Sequence, residues 1–311
     1  MSLRLCAVLG LALAMHASPA VAQKPEQSGR SSDERVIVPG SAEEAIKNFV
    51  GQIAATTSRS ENQLARWNQV ICPSMVGMRA DFAQLVLDRI GSRATEIGLA
   101  AGEPGCRPSI LIIVSKQPDA VAKGLVDSYK RRLGYYLASG KTLGRDALGD
   151  FAKSTAPVRW WHVNYDVSAD GDQPLGNKLA PGVGMGTKKN SATPTMANRH
   201  PSRILRTTRQ DAGMAFLIVD ARQIEGMDLM ALADYLAMAS LAQLDPKADT
   251  SAYPTIFNLF DQHREDASRP KSLTEWDIAY LTGVYDMTRE SGSVARQQAE
   301  IAKSMNKDLV N

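Results

Sequence analysis

The chain has few of the residues from which metal, redox or nucleic-acid sites are built. Its 311 residues include four histidines and three cysteines, and none of these are spaced as metal ligands usually are. The formal net charge of +3 is too small to indicate binding to nucleic acid. Beyond residue 22, no apolar run approaches the roughly 18 residues of a membrane-spanning helix. The sequence therefore predicts no cofactor, no metal, no nucleic-acid partner and no membrane span in the mature chain.

Residues 1–22 have the three parts of a secretory signal peptide. A short basic segment ends at Arg4, and the apolar run that follows over 5–15 is too short to span a bilayer. Ala20-Val21-Ala22 then supplies the small residues of a cleavage site. We therefore expect cleavage after Ala22 and a periplasmic or secreted protein of net charge +2, since Arg4 is the only charge removed. An uncleaved N-terminal anchor is the alternative.

Two cysteines remain after cleavage, because Cys6 lies within the signal peptide. An even number of cysteines in an exported chain indicates a disulfide, so Cys72 and Cys106 are predicted to be bonded. Two buried free thiols are the alternative.

The pattern of apolar residues is typical of a mixed α/β (α+β) fold, and the apolar content of 44% is enough for a large core. Residues 23–34 are expected to form a disordered leader, and 35–65 a strand and a helix that begins at the capping box Ser41–Glu44. Residues 168–201, rich in Gly, Pro, Asn and Ser, are expected to be a flexible loop. Further strands are predicted over 66–72, 110–114, 158–166, 203–207 and 214–219, the last two joined by a hairpin turn at 210–213. Helices are predicted over 79–99, 118–137, 145–153, 229–244 and 274–285, and a polar C-terminal helix within 287–311.

Three segments in the C-terminal half carry a family resemblance. Residues 233–243, Ala-Asp-Tyr-Leu-Ala-Met-Ala-Ser-Leu-Ala-Gln, fit the spacing H-E-x-x-H-x-x-G-x-x-H. Tyr253-Pro254-Thr255-Ile256-Phe257-Asn258 follows, and then Leu273-Thr274-Glu275-Trp276-Asp277-Ile278 opens a helix. This order resembles the metzincin zinc proteases, and in particular their degenerate, exported proteobacterial relatives. The resemblance covers 66–286 and implies a mixed sheet with an edge hairpin, packed by a long helix and a degenerate active-site helix, followed by a C-terminal helix.

The chain departs from the metzincin pattern at the positions that perform the chemistry. The corresponding residues are Ala233 and Ala237 for the two helical histidines, Asp234 for the general-base glutamate, Ser240 for the glycine, Gln243 for the third histidine and Phe257 for the Met-turn methionine. A methyl group has no lone pair for a metal, so the resemblance implies a scaffold without zinc and without catalytic residues.

Plain structural explanations are available for the same residues. The helix dipole favours an acid such as Asp234 in the first turns of a helix, and small alanines let a helix approach a sheet closely. Trp160, Trp161 and His162 mark a possible cleft. Adjacent side chains on a strand face opposite sides, so one tryptophan is expected in the core and the other in the cleft. His162, His200 and His263 are isolated in sequence, which favours ordinary surface or hydrogen-bonded histidines over ligands.

These observations favour an exported, non-catalytic protein, a pseudo-metalloprotease, that binds a peptide or another protein. The expected cleft lies between an edge strand and the 229–244 helix, where an extended peptide could add a strand. The first alternative is a hydrolase with a rearranged site near Asp234 and Gln243, completed by His162 or His263. The second is an envelope structural protein whose C-terminal helix docks a partner.

Overall fold

A four-stranded mixed sheet lies at the centre of the fold. The structure is a computed structural model that describes residues 41–55, 63–130, 132–134, 142–168 and 208–310. The strands are β1 (Pro73–Val76), β2 (Ile110–Ser115), β3 (Val158–Ser168) and β4 (Thr208–Asp220). Their order is β1-β2-β4-β3, with β1, β2 and β4 parallel and β3 antiparallel at the edge. The predicted mixed α/β (α+β) class is confirmed.

Seven helices accompany the sheet in the described part of the chain. They are α1 (Ala42–Ile53), α2 (Ala80–Glu96), α3 (Pro118–Tyr129), α4 (Arg145–Lys153), α5 (Leu229–Leu241), α6 (Glu275–Asp286) and α7 (Val294–Val310). A 3-10 helix, Ile256–Phe260, follows α5. Side chains cap three of the helices where the sequence predicts it: Ser41 on α1, Asp228 on α5 and Thr274 on α6. These short-range signals set the helix starts correctly.

Several sequence predictions fall outside the described residues. They are the signal peptide and leader of 1–34, the strand near 35–38, the loop of 168–201 beyond the last residue of β3, and the strand over 203–207. The helix predicted over 118–137 is shorter than expected, because α3 ends at Tyr129.

The hairpin turn predicted at 210–213 is wrong. These residues lie within β4, which is a single strand paired with β3 along almost its whole length. The register shifts between Val163 and Asn164, so Gly213 is the extra residue of a β-bulge. A Cβ atom on Gly213 would lie 2.7 Å from the ring of Tyr165, which explains why no side chain is present. The glycine that indicated a turn therefore marks a bulge.

The strand predicted over 66–72 is displaced along the chain. β1 begins only at Pro73, and before it Arg66 forms isolated bridges with Asp211 and Ala242. The guanidinium of Arg66 donates hydrogen bonds to backbone carbonyls at the C-terminal end of α6, where the helix dipole favours a positive charge. The segment 66–72 therefore connects the sheet to α6 instead of adding a strand.

The sheet separates two hydrophobic cores. The larger core lies on the side of α1, α2, α5, α6 and α7, and the smaller lies on the side of α3 and α4. Alternate residues of β3 face the two sides, so Trp160 belongs to the larger core and Trp161 to the smaller.

The first and last helices pack on the same body as the sheet. α7 contacts both α1 and α6, and its buried residues are Gln297, Ile301, Ala302 and Met305. All the described elements belong to one compact unit. None of the described helices combines the length and the apolar character that crossing a membrane requires.

Cys72 and Cys106 form a disulfide, as predicted. The two cysteines are separated by 34 positions, and the loop that they close contains α2. The N–H of Cys72 also donates a hydrogen bond to Ser109 Oγ at 2.8 Å, and its carbonyl oxygen accepts one from the N–H of Ile110 at 3.1 Å. The disulfide therefore joins the residue before β1 to the segment that leads into β2.

Replacing both Cys72 and Cys106 with serine should lower the free energy of unfolding by about 3–4 kcal/mol, because the unfolded chain regains the entropy of an open loop. Urea unfolding followed by far-UV circular dichroism measures this loss. A reductant should destabilise the wild type by the same amount and leave the double variant unchanged. Equal stability of the oxidised wild type and the variant would contradict the prediction.

Candidate functional site

α5, which carries most of the metzincin-like positions, is buried on every side. Asp228 caps it by accepting hydrogen bonds from Met230 N and Ala231 N, and each residue over 231–241 is buried. A helix without an exposed face over this stretch is part of the core. It does not form the wall of an open cleft there.

Ala233 and Ala237, which the sequence resemblance aligns with the helical zinc ligands of metzincins, have no exposed surface. Both belong to the larger core, and α2 is the helix with which α5 makes its most extensive contact. Within the residues that the structure describes, no group of three or more His, Cys, Asp or Glu side chains is placed to hold a metal ion. The small side chains of α5 serve close packing.

Asp234 is fully buried and bound to two arginines of α2. Nε and Nη2 of Arg89 donate to its carboxylate at 2.7 and 2.9 Å, and the same atoms of Arg93 donate at 2.9 and 2.8 Å. The N–H of Leu273, just before α6, donates a further hydrogen bond of 2.9 Å. Burial raises the pKa of Asp234, but the hydrogen bonds outweigh burial and lower the pKa to about 2. The carboxylate is therefore ionised and fully occupied, which makes it unsuitable as a general base.

Gln243 lies at the end of a small polar cluster between α5 and β3. Asn164 Nδ2 donates to Gln243 Oε1 at 2.7 Å, and His162 lies two residues earlier on the same face of β3. Burial lowers the pKa of His162 to about 4, although a hydrogen bond with the backbone of Ser240 raises it. His162 Nε2, Asn164 Oδ1 and Gln243 Nε2 have no hydrogen-bond partner among the described residues. One neutral imidazole and two amides are a poor ligand set for zinc.

Sequence reasoning overlooked Asn164 as a member of this cluster. The available signal was the strand alternation that places it on the same face as Trp160 and His162.

Phe257, at the position of the Met-turn methionine, packs among aromatic rings. Its ring centroid lies 5.6 Å from that of Trp160 in a stacked arrangement and 5.1 Å from that of Tyr235 in an edge-to-face arrangement. The preceding residue, Ile256, donates its N–H to the buried carboxylate of Asp277 in the first turn of α6. Burial raises the pKa of Asp277 to about 6, because it outweighs the hydrogen bonds from Thr255, Thr274 and Ile256 that lower this pKa. The 3-10 helix is thus fixed to α6.

The cleft predicted at Trp160, Trp161 and His162 needs correction. All three side chains are buried, and Trp161 lies on the opposite side of the sheet, where its Nε1 donates to the Leu133 carbonyl at 3.0 Å. Trp160 and Asn164 fill the space between β3 and α5 where the cleft was expected. Only Trp160 borders open space, and it does so farther towards the start of β3.

An open groove of about 1090 Å³ lies beside the first residues of β3. Residues 158–160 of β3, together with α4 and the residues that follow it, line one part of the groove. The last turn of α1, residues 245–247 after α5 and the start of α7 line the rest. Lys247 Nζ lies 2.5 Å from Asp150 Oδ2, so an ion pair joins the segment after α5 to α4. Both side chains of this pair are exposed, and such pairs stabilise weakly.

No described strand pairs with the outer side of β3, and residues 158–160 at the start of this strand border the groove. β3 pairs only with β4 among the described strands. Asp220 N donates to the Pro157 carbonyl at 2.9 Å, which makes 157 and 220 a hydrogen-bonded pair of the antiparallel ladder. In such a ladder the N–H and C=O groups of alternate residues point away from the partner strand. The outward groups are therefore those of Val158, Trp160 and His162, before the bulge, and each of these residues is at most 7% exposed.

The hydrolase alternative finds no support in this arrangement. In the described part of the chain, the groups bound to the Asp234 carboxylate are Arg89, Arg93 and Leu273 N, with no histidine and no second carboxylate among them. His263 is exposed in the segment after the 3-10 helix. Comparisons of the chain with models of protein families, with curated proteins and with solved structures found no match.

Replacing Asp234 with asparagine should lower the free energy of unfolding by about 3–5 kcal/mol, because Arg89 and Arg93 lose their counter-ion. Urea unfolding at neutral pH measures the change. Glu96→Gln is the matched control, since Glu96 is the second and more exposed partner of Arg93, and it should cost little. Because the pKa of Asp234 is lowered, its contribution is present above its unfolded pKa of 3.8 and is lost as the pH falls through about 2. Unchanged stability of the asparagine variant would contradict this role.

His162 should make the protein less stable in acid. Its pKa is about 4 in the folded chain and 6.5 as a free side chain, so the unfolded state binds a proton first as the pH falls. We expect the advantage of the wild type over His162→Gln to shrink by about 3 kcal/mol between neutral pH and pH 4. The difference between the two unfolding free energies is the quantity to measure, because other titrating groups cancel in it. A difference that does not change with pH would show that His162 keeps an ordinary pKa.

Proposed function

We propose that this chain is an exported, non-catalytic protein that binds an extended peptide along the outer edge of β3, in the groove beside α4. The observation that carries the proposal is the outward backbone of Val158 and Trp160, which has no partner strand among the described residues and borders the groove of about 1090 Å³. An extended peptide binds such an edge through main-chain hydrogen bonds and fills neighbouring pockets with its side chains.

The state of α5 supports a role without catalysis. Alanines occupy the positions at which a metzincin would bind zinc, and they are buried in the core. The carboxylate at the position of the general base is ionised and bound to two arginines. The metzincin-like segments of 233–278 therefore belong, on this proposal, to a scaffold that retains its shape without its reaction.

Export is proposed from the pattern of residues 1–22 and agrees with the disulfide. A bond between Cys72 and Cys106 persists in an oxidising compartment such as the periplasm or the outside of the cell. The role as an envelope structural protein has less support, because the buried side of α7 is already used against α1 and α6.

Selection from a displayed library of random peptides of about ten residues, which span roughly 30 Å when extended, tests the proposal. We expect selected peptides to slow hydrogen exchange at the amides of Val158 and Trp160, which point away from β4 beside the groove. The amides of Trp161 and Val163 point towards β4 and should exchange slowly with or without peptide. Exchange is read residue by residue by NMR.

Two N-methylated forms of one selected peptide provide the control. Methylation of the alternate amides that face β3 should abolish binding, and methylation of the other alternate amides should leave it intact. Equal behaviour of the two forms, or protection at a different surface, would contradict binding at the β3 edge. Stoichiometric zinc in the purified protein would contradict the absence of catalysis.

A further inference from the structure

A small pocket of about 100 Å³ adjoins the groove. Trp160, Asp245 and Pro246 line both the pocket and the groove. The other residues around the pocket are Ile53, Tyr235, Ala248, Thr250 and Phe257. Its volume equals that of about three water molecules, which is enough for the end of one extended side chain.

Aromatic rings held in fixed positions form one side of this pocket. Trp160 and Phe257 are stacked at 5.6 Å, and Tyr235 lies edge-on to both, at 5.1 Å from Phe257 and 6.3 Å from Trp160. The indole Nε1 of Trp160 donates to the Leu244 carbonyl at 3.0 Å, which fixes the ring. Aromatic faces attract cations as well as methylene groups.

Asp245 adds a negative charge to the lining. Its Oδ1 accepts the N–H of Lys247 at 2.9 Å, whereas the ammonium group of Lys247 binds Asp150. No lysine or arginine forms a salt bridge with Asp245 in the part of the chain that the structure describes, and no basic residue is among those lining the pocket. A half-buried carboxylate beside aromatic rings suits an incoming cation.

The pocket is also in reach of a peptide on the β3 edge. Trp160 presents its backbone to that edge and its side chain to the pocket. In a strand added to β3, every second side chain lies on the same face of the sheet as the Trp160 ring. One of these side chains would therefore be directed towards the pocket.

We propose that this pocket binds a lysine side chain of the peptide, with its methylene groups against Trp160 and Tyr235 and its ammonium group beside Asp245. This inference rests on the proposed function, since it names the side chain by which the groove would select its peptide. Lysine fits better than arginine because its ammonium group is compact, whereas a guanidinium is a wide planar group.

Matched peptides test the proposal. In a peptide selected as above, lysine at the pocket position is replaced by norleucine, which keeps the methylene groups and loses the charge. We expect norleucine to weaken binding to the wild type about tenfold, and glutamate to weaken it more. In the Asp245→Asn variant the preference for lysine over norleucine should fall to about twofold or less. Asp249→Asn, a change in the same loop outside the pocket lining, is the control and should leave the preference intact.

A second measurement separates this proposal from the proposed function. N-acetyl-lysine methylamide has no strand to add, and it should shift the indole N–H signal of Trp160 in the wild type but not in Asp245→Asn. Such a shift, together with failure to find any edge-binding peptide, would support the pocket and overturn the proposed function. Edge binding with equal affinity for lysine and norleucine would overturn the lysine pocket alone. No shift with the lysine amide, and no basic residue in the selected peptides, would also overturn it.

Discussion

The buried ion pair of Asp234 with Arg89 and Arg93 is the constraint on which the arrangement of the helices depends. A carboxylate without exposed surface is stable only when it is neutralised and fully hydrogen-bonded, and here both requirements are met by side chains of a single helix, α2. The Leu273 N–H brings the start of α6 to the same carboxylate. The next residue, Thr274, forms the capping box of α6 with Asp277. The carboxylate of Asp277 also accepts the N–H of Ile256 and so holds the 3-10 helix against α6. One buried charge thereby fixes α5, α2 and α6 relative to one another.

The same constraint makes Asp234 unsuitable as a general base. A general base needs a free lone pair and a pKa near the working pH, and Asp234 has neither. The two arginines that neutralise it would also repel a metal cation at this place. The alanines at 233 and 237 follow from the same packing, because α5 has contacts all around it and large side chains would separate it from its neighbours. These properties come from the packing itself and do not depend on a metzincin ancestor.

Features with short-range causes were predictable from the sequence. The caps at Asp228 and Thr274 are local hydrogen bonds, and the unbroken apolar run of β2 is typical of a strand covered on both faces. The helical spacing of apolar residues located α2 but did not predict which of its residues are buried. Phe82 and Leu85 fit the apolar pattern and yet are exposed. The two arginine partners of Asp234 lie more than 140 positions away, and no local pattern reveals them. The groove is equally hidden, because it depends on the separation of α4, α7 and 245–247 after folding.

On the proposed function, peptide recognition takes place at the groove beside the start of β3, because the centre of the strand is closed. Side chains fill the middle of β3 against α5, but on their outer side the first residues of the strand have no partner among the described strands. The bulge at Gly213 comes after these residues and leaves their spacing regular, as a peptide strand requires. Trp160 stands at both features, with its backbone on the edge and its ring in the aromatic pocket. In the proposed complex, the backbone of Trp160 therefore binds the main chain of any extended peptide, and its ring contacts the side chain that the pocket selects.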